Sequence, residues 1–521
     1  MTRTRIDRRR ALAMLGAGAG FVGAASLTAC TRSGPSRRQS DLALAPEINA
    51  VVERAMALDL SPALGVAVYS RQGVYARAFG LADVDTRERV SAETAFFIAS
   101  STKSVTALAL ACLHARGELN LDATLTEFSP HVPLPPATRP SEVRLRDLLA
   151  HVGGIANRPI NHRFTATGQH DPDTLWRLLA ISEPNAAAPL GRFQYQNVGY
   201  NIATILTDRT LRVPWQNLLR TEIFEPAGLM HTSASMSQAK ASRWSIAMPH
   251  RLGPSGVRER NYLEKTDQTM HSAGGVVMCA QDAARWLELI VEDGRIGGRR
   301  CMPAEVVQAT RVPVATVDVE FEGYRRDQYG LGWYIGRYRD ERMVHHFGGF
   351  SGFRAHISYL PDQALGVAVF SNDSTVGLAL VNAVANYVYD RAAGYPDARQ
   401  RFDAALDGAR VRYGEAAREI VADRASRANL QFTLVRPRAA YVGVYESPEW
   451  GRVEIVEAAR TLLVTCGVLR ALAEPFDKPD AVWLELEPGE GGVLQFEGSG
   501  TAPDSLSFDG RRFHRIAAPA G

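Results

Sequence analysis

A hairpin-like stretch at 63–83 and a set of strand-like stretches at 329–373 lie either side of a middle, from about 120 to 310, that reads as helices and long loops. "ALGVAVYSRQGVYARAFGLAD" alternates and turns at Gln72-Gly73. "YGLGWYIGRYRD", "RMVHHFGGFSGFRAHISYLPD" and "LGVAVFSND" supply the late strands, and a helix is expected to close them near 378–392. Early strands, a helical middle and late strands predict an α/β domain with a helical insertion, because each layer needs another to cover its apolar face. A charged connector of helical pattern follows, then seven short strand-like runs with turns between them. These predict a second, small all-β barrel.

The amino terminus carries a different message. Arg3, Arg5, Arg8, Arg9 and Arg10 precede nineteen mostly small or apolar residues, 11–29, which end in "LTAC". Arg9-Arg10 resembles a twin-arginine signal and Leu27-Thr28-Ala29-Cys30 resembles a lipobox, with Cys30 lipidated as the new first residue. The other reading is an uncleaved membrane anchor; both export the remainder. The expected order is a lipoprotein-type signal over 1–30, a polar tether over 31–44, a catalytic domain over 45–400, a helical connector over 401–430 and the barrel over 431–521. Beyond residue 29 acidic and basic residues balance to within one charge, so no basic face is implied and nucleic acid is not an expected partner. The remaining cysteines, Cys112, Cys279, Cys301 and Cys466, are scattered without a CxxC pair. There is no HExxH, so neither metal nor cofactor is implied.

Only four of the 59 basic residues are lysines: Lys103, Lys240, Lys265 and Lys478. One of them interrupts the apolar segment "IASSTKSVTALALACLHARG". Arginine cannot be deprotonated in a protein, whereas a desolvated lysine can act as a base. Ser100 lies three residues before Lys103, on one face of a helix, where an amine can take the hydroxyl proton. The spacing alone is weak: Ser237 and Lys240 repeat it in polar sequence, and an N-capping serine beside a snorkelling lysine gives the same pattern. In "FQYQNVGYN", Tyr195 can relay a proton to a leaving group and Asn197 can orient a carbonyl; a core tyrosine and a capping asparagine read the same way. In "HHFGGFSGF", His346, Gly348 and Gly349 allow close approach of backbone to a ligand; a glycine-rich turn with a satisfied histidine is the plainer reading.

Together and in order, these three pieces resemble the S-x-x-K, Y-x-N and H/K-x-G motifs of the serine β-lactamase and penicillin-binding-protein superfamily. The similarity is to the branch of class C β-lactamases, D-alanyl-D-alanine carboxypeptidases, D-aminopeptidases and esterases. It spans about 45–395, and the carboxy-terminal strands resemble the lipocalin-like domain that some members append. The resemblance implies an antiparallel sheet flanked by helices. It also implies Ser100 as the acylated nucleophile, Lys103 as its proton partner, Tyr195 as proton shuttle, Asn197 as the substrate-amide ligand and His346 at the H/K-x-G position. The backbone N–H groups of Ser100 and Gly349 would form the oxyanion hole, with Gly348 beside it.

His346 stands where class C β-lactamases carry lysine, which moves the expected chemistry toward peptide or ester hydrolysis. It also leaves a substrate carboxylate without a fixed cation, unless His346 is protonated or an arginine serves. "HVGGI" replaces a threonine and serine common in relatives. The expected activity is that of an envelope serine hydrolase on a short D-amino-acid peptide or small ester, with cell-wall fragments among the candidate substrates and pocket walls drawn from loops of the helical middle. A class C-type β-lactamase is the alternative enzyme, and a catalytically silent cell-wall-binding protein the alternative of another class. No G-x-S-x-G occurs to support a different serine hydrolase.

Overall fold

The computed structural model describes residues 42–517. The signal, the lipobox and Cys30 lie outside the described residues, as does most of the tether.

The early hairpin and the late strands form one nine-stranded sheet in which every neighbouring pair is antiparallel. Strand Ala63–Ser70 pairs with Leu365–Ser371, with Val66 opposite Val369, so the two ends of the domain meet inside the sheet. Strand Ala63–Ser70 is buried along its whole length and is not the half-exposed alternation its sequence suggests. Leu64, Val66 and Val68 pack beneath helices Ala45–Met56 and Gly377–Ala392. Ala63, Ala67 and Tyr69 pack on the other face, where helix Ala280–Val291 and the helical middle lie. Two further strands, Ala315–Phe321 and Tyr324–Tyr329, extend the sheet; their charged sequence did not mark them as strands.

Helix Ala398–Arg427 continues from the domain. Its first half buries Ala398, Phe402, Leu406 and Ala409, and its far end bonds the barrel through Arg424 to Glu474. The barrel is a second nine-stranded sheet whose terminal strands, Leu469–Leu472 and Glu474–Pro475, are consecutive in the chain, so it nearly closes. Strand Gly451–Ala458 shows the required alternation: Val453 and Ile455 point inward, Arg452 and Glu454 outward. Its interior is packed solid with Tyr441, Tyr445, Phe496 and aliphatic side chains, and Leu263 of the larger domain joins that core.

Candidate active site

Ser100 does not sit within the α-helix. It occupies a 3₁₀ turn, Ala99–Ser101, and the helix Thr102–Ala115 begins after it. Ala99 adopts φ +46°, a left-handed conformation that costs a non-glycine residue about 1 kcal/mol or more. The turn is clamped onto strand Glu341–Phe350: Ser101 Oγ donates to His346 O at 2.8 Å, and Ile98 O presses against Gly348. A Cβ on Gly348 would lie 2.0 Å from that oxygen. Gly348 therefore permits the close approach of strand to turn, and Gly349, next along, borders the cleft.

Lys103 is fully buried. Its Nζ lies 2.8 Å from Asn197 Oδ1, 2.8 Å from Ala273 O and 3.3 Å from Ser100 Oγ, and 4.7 Å from the centre of the Tyr195 ring. Among the described residues no carboxylate pairs with it, and burial drives it well below the ordinary lysine range. A neutral amine has two N–H bonds and one lone pair. In that uncharged form the two carbonyl oxygens can take the N–H bonds, which leaves the lone pair facing the Ser100 hydroxyl.

Tyr195 and Asn197 come from the loop that opens helix Val198–Leu211. The Tyr195 ring edge is 38 % exposed to the cleft, yet its hydroxyl reaches Ser100, and its apolar surroundings push the phenol above its usual value. Behind it His151 packs at 4.7 Å between ring centres. His151 opens the "HVGGI" loop, and its sequence carries no sign of this contact. His151 Nδ1 accepts from the Gln196 N–H at 3.4 Å and its Nε2 lies 3.3 Å from the Tyr329 hydroxyl, so its contacts hold the Tyr195 loop in place.

His346 is buried, with Nδ1 2.9 Å from Phe347 O and its ring 5.9 Å from that of Tyr195. Burial holds it well below the usual imidazole range. This favours the neutral ring and weighs against the protonated-histidine route to a carboxylate ligand.

The cleft in front of Ser100 has a volume of about 630 Å³. Its walls are not confined to the helical middle. Trp450, Glu487, Glu490 and Arg511, from turns at one end of the barrel, line it as well. So does Lys265, 5 % exposed, which donates to Thr165 O at 3.1 Å and lies 3.7 Å from the centre of the Phe350 ring; burial lowers it to about 7. The scarcity of lysine that singled out Lys103 was equally a signal for Lys265. Lys240, by contrast, is exposed on the short helix Met236–Ala241, 3.8 Å from Glu264.

A sequence model of the family described as Beta-lactamase matches residues 48–387. Among curated proteins, "Unguisins hydrolase ungD" of Aspergillus violaceofuscus is 22 % identical over 440 residues, covering 78 % of this chain and 75 % of that protein. Among solved structures, the octameric penicillin-binding protein homologue from Pyrococcus abyssi aligns with TM-score 0.57 at 19 % identity, over 90 % of this chain and 99 % of that one. A D-amino acid amidase from Ochrobactrum anthropi SV3 aligns with TM-score 0.55 at 17 % identity, over 66 % and 98 %.

Proposed function

The chain belongs to the beta-lactamase family, and from that premise we propose that it hydrolyses a short D-amino-acid peptide or a small ester through an acyl-enzyme on Ser100. The observation that carries this reading is the buried Lys103 Nζ, 3.3 Å from Ser100 Oγ and 2.8 Å from two carbonyl oxygens, where burial favours the uncharged amine. In acylation the lone pair removes the hydroxyl proton as Oγ attacks the carbonyl carbon. Tyr195 then passes a proton to the departing amine or alcohol and recovers one from Lys103, which returns both groups to their starting state. Asn197 keeps its amide N–H groups for the substrate because its oxygen is committed to Lys103. The N–H groups of Ser100 and Gly349 are assigned to the developing oxyanion. The D-amino acid amidase among the fold's neighbours supports the peptide arm of the proposal. The neutral His346 supports it over the class C-type β-lactamase.

Turnover of acyl-D-Ala-D-Ala, D-aminoacyl amides, p-nitrophenyl esters and a cephalosporin tests the reading. Peptide, amide or ester turnover is expected to dominate; rapid cephalosporin hydrolysis with none of these would reverse the ranking. We further propose that the protein is exported and tethered to the envelope by lipid on Cys30. Cys30→Ser should release it from membranes, and a variant as firmly bound as the wild type would contradict the tether.

A further inference from the structure

Forming the ester on Ser100 is half of a hydrolytic cycle. The other half needs a base for water. The segment 269–276 is tied to the Lys103 helix and the turn before it: Ala273 O accepts from Lys103, Ser272 O from Thr106 Oγ1 at 2.8 Å, and Val276 O from the Ile98 N–H at 3.0 Å. This fixed segment carries His271, which is 5 % exposed and lines the Ser100 cleft. Its Nδ1 lies 3.2 Å from Asn201 Oδ1. An amide oxygen only accepts, so the ring proton is assigned to Nδ1 and Nε2 keeps a free lone pair.

The position of Nε2 follows from Gly274. A Cβ built there would stand 3.1 Å from His271 Nε2 and 3.6 Å from the carbonyl carbon of Ala99, the atom bonded to Ser100 N. The imidazole and the Ser100 turn thus border one small space, and the absence of a side chain at 274 keeps it open. Burial is the first cause that holds His271 below the usual imidazole range and so favours the unprotonated ring.

We propose that His271 is the base of the second half-reaction, taking a proton through Nε2 from the water that attacks the Ser100 ester. The water oxygen bonds to the acyl carbon. As the bond from that carbon to Ser100 Oγ breaks, the proton held by His271 passes to Oγ. The products are the free acid, a neutral imidazole and an intact serine. This inference rests on the Ser100 acyl-enzyme proposed above and assigns a step that Lys103 and Tyr195 need not perform.

The test uses the full chain with p-nitrophenyl acetate. His271→Gln should release the first equivalent of p-nitrophenolate within threefold of the wild-type rate. Steady turnover should then fall by about 10²–10⁴, the usual worth of a positioned base, and an acetyl adduct should persist on Ser100 by mass spectrometry. Imidazole added to His271→Ala should restore turnover. Gly274→Ala, which crowds Nε2 without removing it, should slow turnover while sparing the first release, and so provides a second reading should the His271 variants fold poorly. Steady turnover within threefold of wild type, or first release and turnover falling together, would overturn the role of His271 and leave the Ser100 reading standing. A wild-type protein that never carries an adduct on Ser100 would remove both.

Discussion

Buried ionisable side chains set how this chain responds to pH. Lys103 and Lys265 are lysines held low by burial; Asp208, near the end of helix Val198–Leu211, is an aspartate pushed up to about 8 by the same cause. Asp208 Oδ1 is buried without a hydrogen-bond partner. Between about 4 and 8 the folded chain keeps the Asp208 proton while the unfolded chain has lost it. The folded state then binds more protons, and stability falls as pH rises through that window. Asp208→Asn should remove this slope: the variant melts near the wild-type temperature at pH 4.5 and above it at pH 8. Equal melting temperatures at both pH values would show that Asp208 is ionised in the folded protein. Lys265 acts in the opposite direction, because between about 7 and 10.5 the unfolded chain holds the extra proton and stability rises with pH.

The working element is the turn Ile98–Ser101 pressed against strand Glu341–Phe350. Gly348 sets their separation. Gly348→Ala forces a Cβ toward Ile98 O, where only 2.0 Å is available. Overpacking of this kind costs about 1–3 kcal/mol, and here it moves the nucleophile. The variant should melt lower and label more slowly with a fluorophosphonate. A wild-type labelling rate would mean that the turn is not held by this contact. Much of the element was legible in the sequence, since Ser100, Lys103, Tyr195 and Asn197 fall in motifs with a chemical reason for each residue, and the structure brings all four together. The part Gly348 plays in seating the turn on the strand was not legible, because a glycine that admits a ligand and one that admits another strand look alike in sequence. His151 and His271 were not legible: each acts through a contact distant in the chain, and a single buried histidine has no sequence pattern of its own.

At the scale of the whole molecule, the α/β sheet with its helical insertion and the appended barrel follow from the order of strand-like and helical segments. How the two meet does not, because packing between domains leaves no periodicity. The barrel stands at the mouth of the cleft, held by Tyr262 against strand Ala481–Glu487 and by Arg251 against Glu485. Trp450 carries Arg511 at 5.1 Å and Arg158 at 5.8 Å from its ring centre, so one indole joins the two domains at the cleft wall. Trp450→Ala should leave labelling of Ser100 by a small fluorophosphonate within threefold of wild type and raise KM for peptide substrates by roughly tenfold, the worth of about 1.4 kcal/mol of lost contact. An unchanged KM would place the barrel outside substrate recognition.

All of this depends on Ser100 acting with an uncharged Lys103. Intact-mass and peptide mapping after brief exposure to a fluorophosphonate measures that directly in the wild type, Ser100→Ala and Lys103→Arg. The wild type should gain one adduct, on Ser100; Ser100→Ala should gain none. Lys103→Arg should fold yet label about 10²–10⁴ times more slowly, because a guanidinium keeps its charge and offers no lone pair. An adduct on another residue, or a Lys103→Arg protein that labels at the wild-type rate, would contradict the account.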